Sequence, residues 1–277
     1  MSIYLRPDRV VFRYFGPDAE KLLNDVITGF VRAEDGPARW WALLSPQGKI
    51  QAEGLLGWHD GAFWLDVDRS VADSFAKRMR MYRLRARVDM EDLRESYRVG
   101  WSAEQPEAAE GIVAHADHRA EGLGWRLIAP AASTAGWIDD EQPFRRARVG
   151  AGIAELGPDF AADTTFAHDI AMDILEGIDF GKGCYVGQEV VSRMKHRGTA
   201  RRRPVLVSGA PEGGSATISA GDREAGTLGT AVDGEGLGIV RLDRIADPAA
   251  VRIADSPVRL SLPQWATYAF GESSVPD

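Results

Sequence analysis

The sequence predicts an α+β fold that ends in a small β-barrel. Helical and strand-like segments alternate through the first half of the chain, a pattern typical of mixed α+β folds. After Pro204, short apolar runs are separated by glycine, aspartate and proline at the spacing of a small barrel. At about 150 residues per domain, the 277 residues suffice for two compact units, or for three if one of them is small.

The N-terminal half begins with a strand at residues 10–16, and Pro17 then opens a helix. Apolar residues recur in that helix at helical spacing until it ends near Gly29. Residues 40–67 predict three antiparallel strands joined by two glycine-containing turns. Asp68 can cap the next helix. The solvent-facing side of that helix carries Lys77, Arg78 and Arg80.

The second half is predicted to contain short strands, two helices and a barrel. Residues 96–130 alternate as short strands, and residues 144–150 form a short basic helix after a small, polar stretch. Apolar residues from Val186 onward recur at helical spacing and predict another helix. The barrel is expected over residues 201–277.

The composition excludes several classes of protein. A single cysteine cannot supply an internal disulfide framework, a cysteine-rich zinc module or all the ligands of an iron–sulfur cluster, and we expect no metal site. No apolar stretch approaches the roughly 18–20 residues of a membrane helix, and no secretory signal is visible. We expect a cytoplasmic protein that is monomeric and has no membrane partner. A net charge of −8 makes the chain a poor general binder of nucleic acid.

Residues 181–189, with the sequence GKGCYVGQE, are the most informative segment. Glycines on both sides of Lys182 allow a tight bend, and Cys184 lies where this bend meets the helix. The positive end of the helix and the nearby ammonium group favour the thiolate, so Cys184 and its neighbour Lys182 are candidate catalytic residues. The alternative is a buried, unreactive thiol, which is the commoner role of a lone cysteine.

A basic segment follows the cysteine. It can bind a polyanion, or it can be a solvated helix face. Guanidinium groups bind carboxylates and phosphates equally well, and no aromatic RNA-binding motif accompanies them, so we expect no stable nucleic-acid partner. Its cations are Arg193, Lys195, Arg197, Arg201, Arg202 and Arg203.

The motif Lys182-Gly183-Cys184-Tyr185-x-Gly187-Gln188-Glu189 resembles the signature of the YgfZ family. These folate-binding proteins are related to the T-protein (aminomethyltransferase) of the glycine cleavage system and to CAF17-like iron–sulfur cluster assembly factors. Residues 44–50, residues 178–180 and the glycine-rich tail are similar to the same family, so the resemblance covers essentially the full length.

The resemblance implies a ring of three lobes with tetrahydrofolate as the cofactor in its central opening. Residues 1–35 with 143–200 would form the first α+β lobe, residues 36–142 the second, and residues 201–277 the barrel. In the T-protein branch a carboxylate assists aminomethyl transfer, and the matching pair here is Ala52-Glu53. Because alanine cannot accept a proton, the resemblance leaves open whether the chain is an enzyme.

The resemblance also implies a set of folate contacts. Asp169 matches a carboxylate that recognises the pterin ring, which offers two N–H donors to it. From the residues alone, Asp169 can equally cap a following helix, and Glu189 can pair with Arg193. One or more of the arginines are expected to meet the folate glutamate. The expected cofactor-binding residues are Asp169, Gln188, Glu189, Arg197, Arg201, Arg202 and Arg203.

These observations lead to one principal function and two alternatives. The resemblance implies a tetrahydrofolate-binding accessory protein for assembly or repair of iron–sulfur clusters in client enzymes, including tRNA-modifying ones. Its partners would be folate and the client or assembly proteins. The first alternative is a folate-dependent aminomethyl or one-carbon transferase, in which Glu53 or Asp66 replaces the missing carboxylate. The second is an RNA-binding module that uses residues 193–203.

Overall fold

The computed structural model describes residues 1–198 and 200–271, so residues 272–277 of the expected barrel segment lie outside the described residues. It contains four α-helices and fifteen strands within those ranges. The helices are α1 (Ala19–Val26), α2 (Ala72–Arg83), α3 (Gln142–Ala151) and α4 (Gln188–Arg197). The strands are β1 (Tyr4–Leu5), β2 (Arg9–Phe15), β3 (Arg39–Leu44), β4 (Ile50–His59), β5 (Ala62–Asp68), β6 (Asp89–Asp92), β7 (Tyr97–Ser102), β8 (Val113–Ala116), β9 (Trp125–Pro130), β10 (Arg202–Ser208), β11 (Ala216–Ala220), β12 (Arg223–Val232), β13 (Glu235–Arg241), β14 (Val251–Ile253) and β15 (Ser256–Ser261).

The N-terminal sheet has five strands in the order β3-β4-β5-β2-β6, all antiparallel. Its alternating side chains explain its burial on both faces. Phe12 on β2 packs with Phe75 of α2 in the larger hydrophobic core, which lies between the sheet and the helices. The neighbouring Val11 points to the opposite face of the sheet. There Val11 joins a smaller cluster with Val99 and Ile128 of the second sheet. The sheet is therefore covered by helices on one side and by strands on the other.

The second sheet has four strands in the order β1-β7-β9-β8. Because β2 pairs with β5, the N-terminal sheet contains strands from both sides of residue 35, where the resemblance implies a lobe boundary. Such pairing between distant segments leaves no local signal in the sequence. The division into lobes remains a prediction.

The C-terminal strands close into a barrel in the order β10-β13-β12-β11-β14-β15, with β15 pairing back to β10. Its interior is apolar and includes Val205, Leu228 and Val240. The α+β fold with a C-terminal β-barrel is thus confirmed. Among the residues described, no helix is long and apolar enough to cross a membrane.

A network of buried ionic side chains lies where the two sheets and α3 meet. Glu155 is at its centre and contacts arginines from four different segments of the chain. Such buried charges are tolerated only where they are paired. The members are Arg6, Arg9, Glu53, Asp66, Asp117, Arg119, Arg126, Arg148, Glu155 and Asp159.

Candidate functional site

The turn between β3 and β4 positions helix α4. Gly48 has a φ of +78°, and a Cβ on it would lie 2.7 Å from the Cβ of Val190 in α4. Gly187, at the start of α4, has a φ of +81° and would bring a Cβ within 2.8 Å of the Ser45 carbonyl oxygen. Glycine is required at both positions because the backbones are left-handed and in close contact. Residues 181–189, which we call the cysteine segment, are therefore held against the N-terminal sheet.

Lys182 fastens the cysteine segment to the loop after α1. Its Nζ donates hydrogen bonds to the carbonyl oxygens of Ile27 at 2.5 Å and Gly29 at 2.7 Å, and it lies 5.2 Å from the centre of the Tyr185 ring. Burial lowers the pKa of Lys182 to about 8, although Asp179 and Asp25 act in the opposite direction. The ammonium group is thus committed to backbone carbonyls, which makes Lys182 an anchor of this loop.

Cys184 is an exposed free thiol. The thiol is therefore not buried, and its role as the functional thiol stays a prediction. Gln188 donates a weak hydrogen bond of 3.4 Å from Nε2 to the Gly183 carbonyl and so braces the bend from within. Glu189 is exposed in the first turn of α4. The segment therefore presents its thiol to solvent on a braced bend.

Asp169 lies in a cleft of about 390 Å³ beside the second half of α4. The residue is 5% exposed, and its Oδ2 accepts a 3.1 Å hydrogen bond from the Phe166 amide. Burial raises the pKa of Asp169, opposed by that hydrogen bond and by Lys49, Arg202 and Arg203. One carboxylate oxygen remains for a ligand in the cleft.

Asp169 does not cap a following α-helix. It belongs to a single 3-10 turn, Ala167–Ile170, which ends at Ala171 with a φ of +62°. The Ala171 amide donates to the His168 carbonyl, and the chain reverses there. Asp169 therefore caps its own 3-10 turn through the Phe166 amide, and no α-helix follows it within residues 171–187.

Half of the residues that line the cleft are cationic. Lys49 donates a 2.8 Å hydrogen bond to the Thr164 carbonyl and places its Nζ 3.3 Å from the centre of the Phe166 ring. Burial lowers the pKa of Lys49, while Asp169 raises it. The remaining lining residues are Thr164, Phe166, Met194, Arg201, Arg202 and Arg241. Lys49 and Arg241 were not among the sequence-predicted contacts, although Lys49 lies in the 44–50 stretch that carries part of the family resemblance.

Arg203 faces a separate cavity of about 270 Å³ on the other side of Met194. Its guanidinium group binds both carboxylate oxygens of Asp173, at 2.6 and 2.9 Å, and donates to the His168 carbonyl. The structure thus brings Asp169, Arg201 and Arg202 into one cleft, whereas Arg203, although close enough to act on the Asp169 pKa, lines the neighbouring cavity. Arg197 is exposed at the end of α4 and lines neither cavity.

The carboxylates near position 52 are committed to the buried ionic network. Ala52 is fully buried. Glu53 accepts hydrogen bonds from Arg9 at 3.0 Å and from Trp40 Nε1 at 2.8 Å. Asp66 binds Arg9 and Arg126, and these arginines, against the effect of burial, hold its pKa below the usual range. The side chains of both acids are therefore engaged with buried partners and do not line the cleft around Asp169.

Among residues 1–198 and 200–271, no group of three or more His, Cys, Asp or Glu side chains is arranged to hold a metal ion.

Comparison with known proteins identifies the relatives of this chain. Residues 200–268 match the family model described as the CAF17 C-terminal beta-barrel domain. The mouse mitochondrial iron–sulfur cluster assembly factor IBA57 is 27% identical, and the match covers 93% of this chain and 83% of the mouse protein. The Chaetomium globosum IBA57 homologue, also mitochondrial, is 31% identical over 75% of this chain and 57% of its own length, so the match spans little more than half of the fungal protein.

A solved protein structure has a similar fold. The glycine cleavage system aminomethyltransferase T from Bartonella henselae superposes with a TM-score of 0.75 over 97% of this chain and 87% of that chain, at 14% sequence identity. At this identity the likeness establishes the fold alone. The aminomethyltransferase-like architecture expected from the sequence is thereby confirmed.

The expected cytoplasmic location is contradicted by these comparisons, because the mouse and fungal relatives are mitochondrial proteins. The sequence argument rested on the lack of a secretory signal. That observation distinguishes secreted proteins from others, and it does not separate the cytoplasm from an organelle. As for the family, the relatives named are IBA57 proteins, and the YgfZ family expected from the cysteine motif is related to them. The chain is thus similar in sequence to mitochondrial IBA57 iron–sulfur cluster assembly factors and, over residues 200–268, to the CAF17 C-terminal beta-barrel domain, and its fold is aminomethyltransferase-like with a C-terminal β-barrel.

Proposed function

We propose that this chain is a tetrahydrofolate-binding accessory protein that supports assembly or repair of iron–sulfur clusters in client enzymes, including tRNA-modifying ones. The observation that carries the proposal is the cleft around Asp169, which combines a buried carboxylate with several cations. The iron–sulfur part rests on the names of its relatives.

The chemistry of the cleft fits a reduced folate. The free carboxylate oxygen of Asp169 can accept an N–H from the 2-aminopterin ring at one end of the ligand. Arg201 and Arg202 can bind the glutamate carboxylates at the other end, since guanidinium groups match carboxylates in geometry and charge. Phe166 and Met194 supply apolar surface between them. A volume of about 390 Å³ is within the range of ligand sites.

Cys184 is proposed as the functional thiol toward the client or assembly partner. It is exposed on the bend before α4, while the cleft lies against Met194 in the second half of that helix. At 1.5 Å per residue, six helical residues separate the helix start from Met194 by roughly 9 Å. The cluster is cargo in this proposal, because one thiolate cannot supply all its ligands.

The folate assignment is tested by calorimetric titration with tetrahydrofolate under reducing conditions. We expect Asp169→Asn to weaken binding by about tenfold or more, because the amide replaces an acceptor with a donor, and the same substitution at the exposed Asp222 to have no effect. Equal binding by wild type and Asp169→Asn would contradict the assignment.

The accessory role is tested separately in cells that carry Cys184→Ser. We expect lower activity of iron–sulfur client enzymes at unchanged protein level. Normal client activity in this variant, combined with no folate binding by the wild type, would overturn the proposed function.

A further inference from the structure

Helix α2 and the residues that follow it form a second basic region, which the proposed function does not use. Residues 77–87 have the sequence KRMRMYRLRAR, which holds six cations and no acidic residue in a chain of net charge −8. We refer to residues 77–87 as the α2 basic surface. The sequence pattern alone is that of an ordinary solvated helix face.

Two aliphatic side chains project from the middle of this surface. Met81 is 64% exposed and Leu84 is 86% exposed, although the opposite face of α2 buries Phe75 and Met79 in the core. Exposed large apolar side chains that adjoin one another mark binding surfaces more often than isolated ones do. The surface is therefore an apolar tip surrounded by positive charge.

The backbone at Leu84 supports a role for this tip. Leu84 ends α2 with a φ of +42°, a left-handed conformation that disfavours a leucine and that glycine adopts freely. Strain of this kind persists where the surrounding structure holds it in place, and it is concentrated at functional sites. Here its result is to point a leucine side chain almost entirely into solvent.

The cations around the tip are available to a ligand. Arg87 is bound to Asp18. Within the described residues, Lys77, Arg80, Arg83 and Arg85 are exposed and form no ion pair. The partner is therefore negatively charged and able to surround aliphatic side chains.

We propose that the α2 basic surface binds the anionic phospholipids of a membrane surface, with Met81 and Leu84 entering the boundary between headgroups and acyl chains. Lipid chains close around an aliphatic side chain without a preformed pocket, and the phosphates then lie beside the flanking arginines. An RNA partner would leave the aliphatic tip without a role, because recognition of single strands uses aromatic stacking. Tyr82, the one aromatic residue of the segment, is half-buried. An acidic protein would need a pocket matched to Leu84. This is association with a surface and does not require a membrane-spanning segment.

The proposal is tested by co-sedimentation of the full chain with phospholipid vesicles at about 0.1 M salt. Vesicles of phosphatidylcholine containing about one third phosphatidylglycerol are compared with pure phosphatidylcholine. We expect binding to the anionic vesicles only, and loss of that binding as the salt concentration rises.

Variants separate the charge from the apolar tip. We expect Arg80→Glu/Arg83→Glu/Arg85→Glu to reduce binding by about tenfold or more, since three attractive charges become repulsive. Leu84→Gly removes the side chain and relieves the backbone strain, so it should melt no lower than wild type and still bind several-fold more weakly. The charge-matched control is Arg223→Glu/Arg252→Glu/Arg259→Glu on exposed barrel positions, which should bind as wild type does.

Equal binding to neutral vesicles, equal loss in the barrel control, or unchanged binding by Leu84→Gly would overturn the proposal. So would absence of vesicle binding, whether or not a single-stranded oligonucleotide binds to the same surface.

Discussion

Lys182 is a half-buried cation whose role follows from its contacts. It holds the cysteine segment to the Ile27 and Gly29 carbonyls, and burial lowers its pKa to about 8 from the ordinary 10.5. Between these two values the unfolded chain keeps a proton that the folded chain has lost. Stability from this residue therefore rises with pH through that window and is constant below it.

We expect the unfolding free energy of wild type, relative to that of Lys182→Met, to increase by about 1 kcal/mol per pH unit between pH 8 and 10. Urea denaturation at a series of pH values measures the difference, in which the titration of other groups cancels. Lys21→Met, at an exposed lysine, is the control and should show no such trend. A difference that stays flat would contradict the burial of the Lys182 amine.

The pH dependence expected at Asp169 differs from that at Lys182, because burial raises the pKa of Asp169. Only the charged carboxylate accepts hydrogen bonds at both oxygens, so folate affinity should fall as the pH drops through the raised pKa, by about tenfold per unit below it. Binding measured from about pH 7 downward checks this for wild type. The affinity of Asp169→Asn should vary with pH only as the ligand itself does, and a parallel decline in both proteins would contradict the prediction.

At the scale of elements, the β3–β4 turn and α4 form one unit. Gly48 and Gly61 occupy turns with φ values of +78° and +73°, but they differ in surroundings. A Cβ at Gly48 meets Val190 of α4 at 2.7 Å, whereas a Cβ at Gly61 has nothing within 4 Å. Substitutions at these two glycines therefore distinguish the effect of a strained backbone from the effect of contact with α4.

We expect Gly61→Ala to lower stability by about 1 kcal/mol, from the left-handed backbone alone. Gly48→Ala should lose about 1–3 kcal/mol more, because α4 has to shift. Denaturant unfolding gives both values, and hydrogen exchange should show faster opening of α4 only in Gly48→Ala. If both substitutions have the same effect, the turn does not position the helix.

At the scale of the whole molecule, Glu155 joins separate segments of the chain. Its carboxylate contacts Arg6 near the N-terminus at 2.9 Å, Arg119 at 3.4 Å, Arg126 of β9 at 3.7 Å and Arg148 of α3 at 3.6 Å. Although burial opposes ionisation, Arg6, Arg148 and Arg119 hold the pKa of Glu155 well below its usual range. Its charge is present across the ordinary pH range and balances the arginines.

We expect Glu155→Gln to lower the unfolding free energy by about 3–5 kcal/mol, because it leaves buried guanidinium groups without a counter-charge. Thermal and urea unfolding measure the loss. Glu34→Gln, in an exposed pair with Arg32, should change stability by less than about 0.5 kcal/mol. A small effect at Glu155 would contradict its role as the counter-charge of these arginines.

The sequence predicted those features that depend on neighbours along the chain. Alternating apolar residues gave the hairpins of β3–β5, helical spacing gave α1, α2 and α4, and turn residues gave the barrel. It could not predict pairs that meet only after folding. Arg9 reaches Glu53 across 44 residues, and Arg203 reaches Asp173 across 30. For that reason Glu53 looked available for catalysis and Arg203 for a ligand, although the fold engages both.

The closed barrel limits how partners can attach to this part of the protein. Because β15 pairs back to β10, the barrel has no terminal strand whose backbone could extend into a neighbouring chain. A partner that recognises its target by strand addition would have to use the margins of the open sheets, at β3, β6, β1 or β8. Recognition at the barrel depends on side chains, and it is therefore tunable by single surface substitutions.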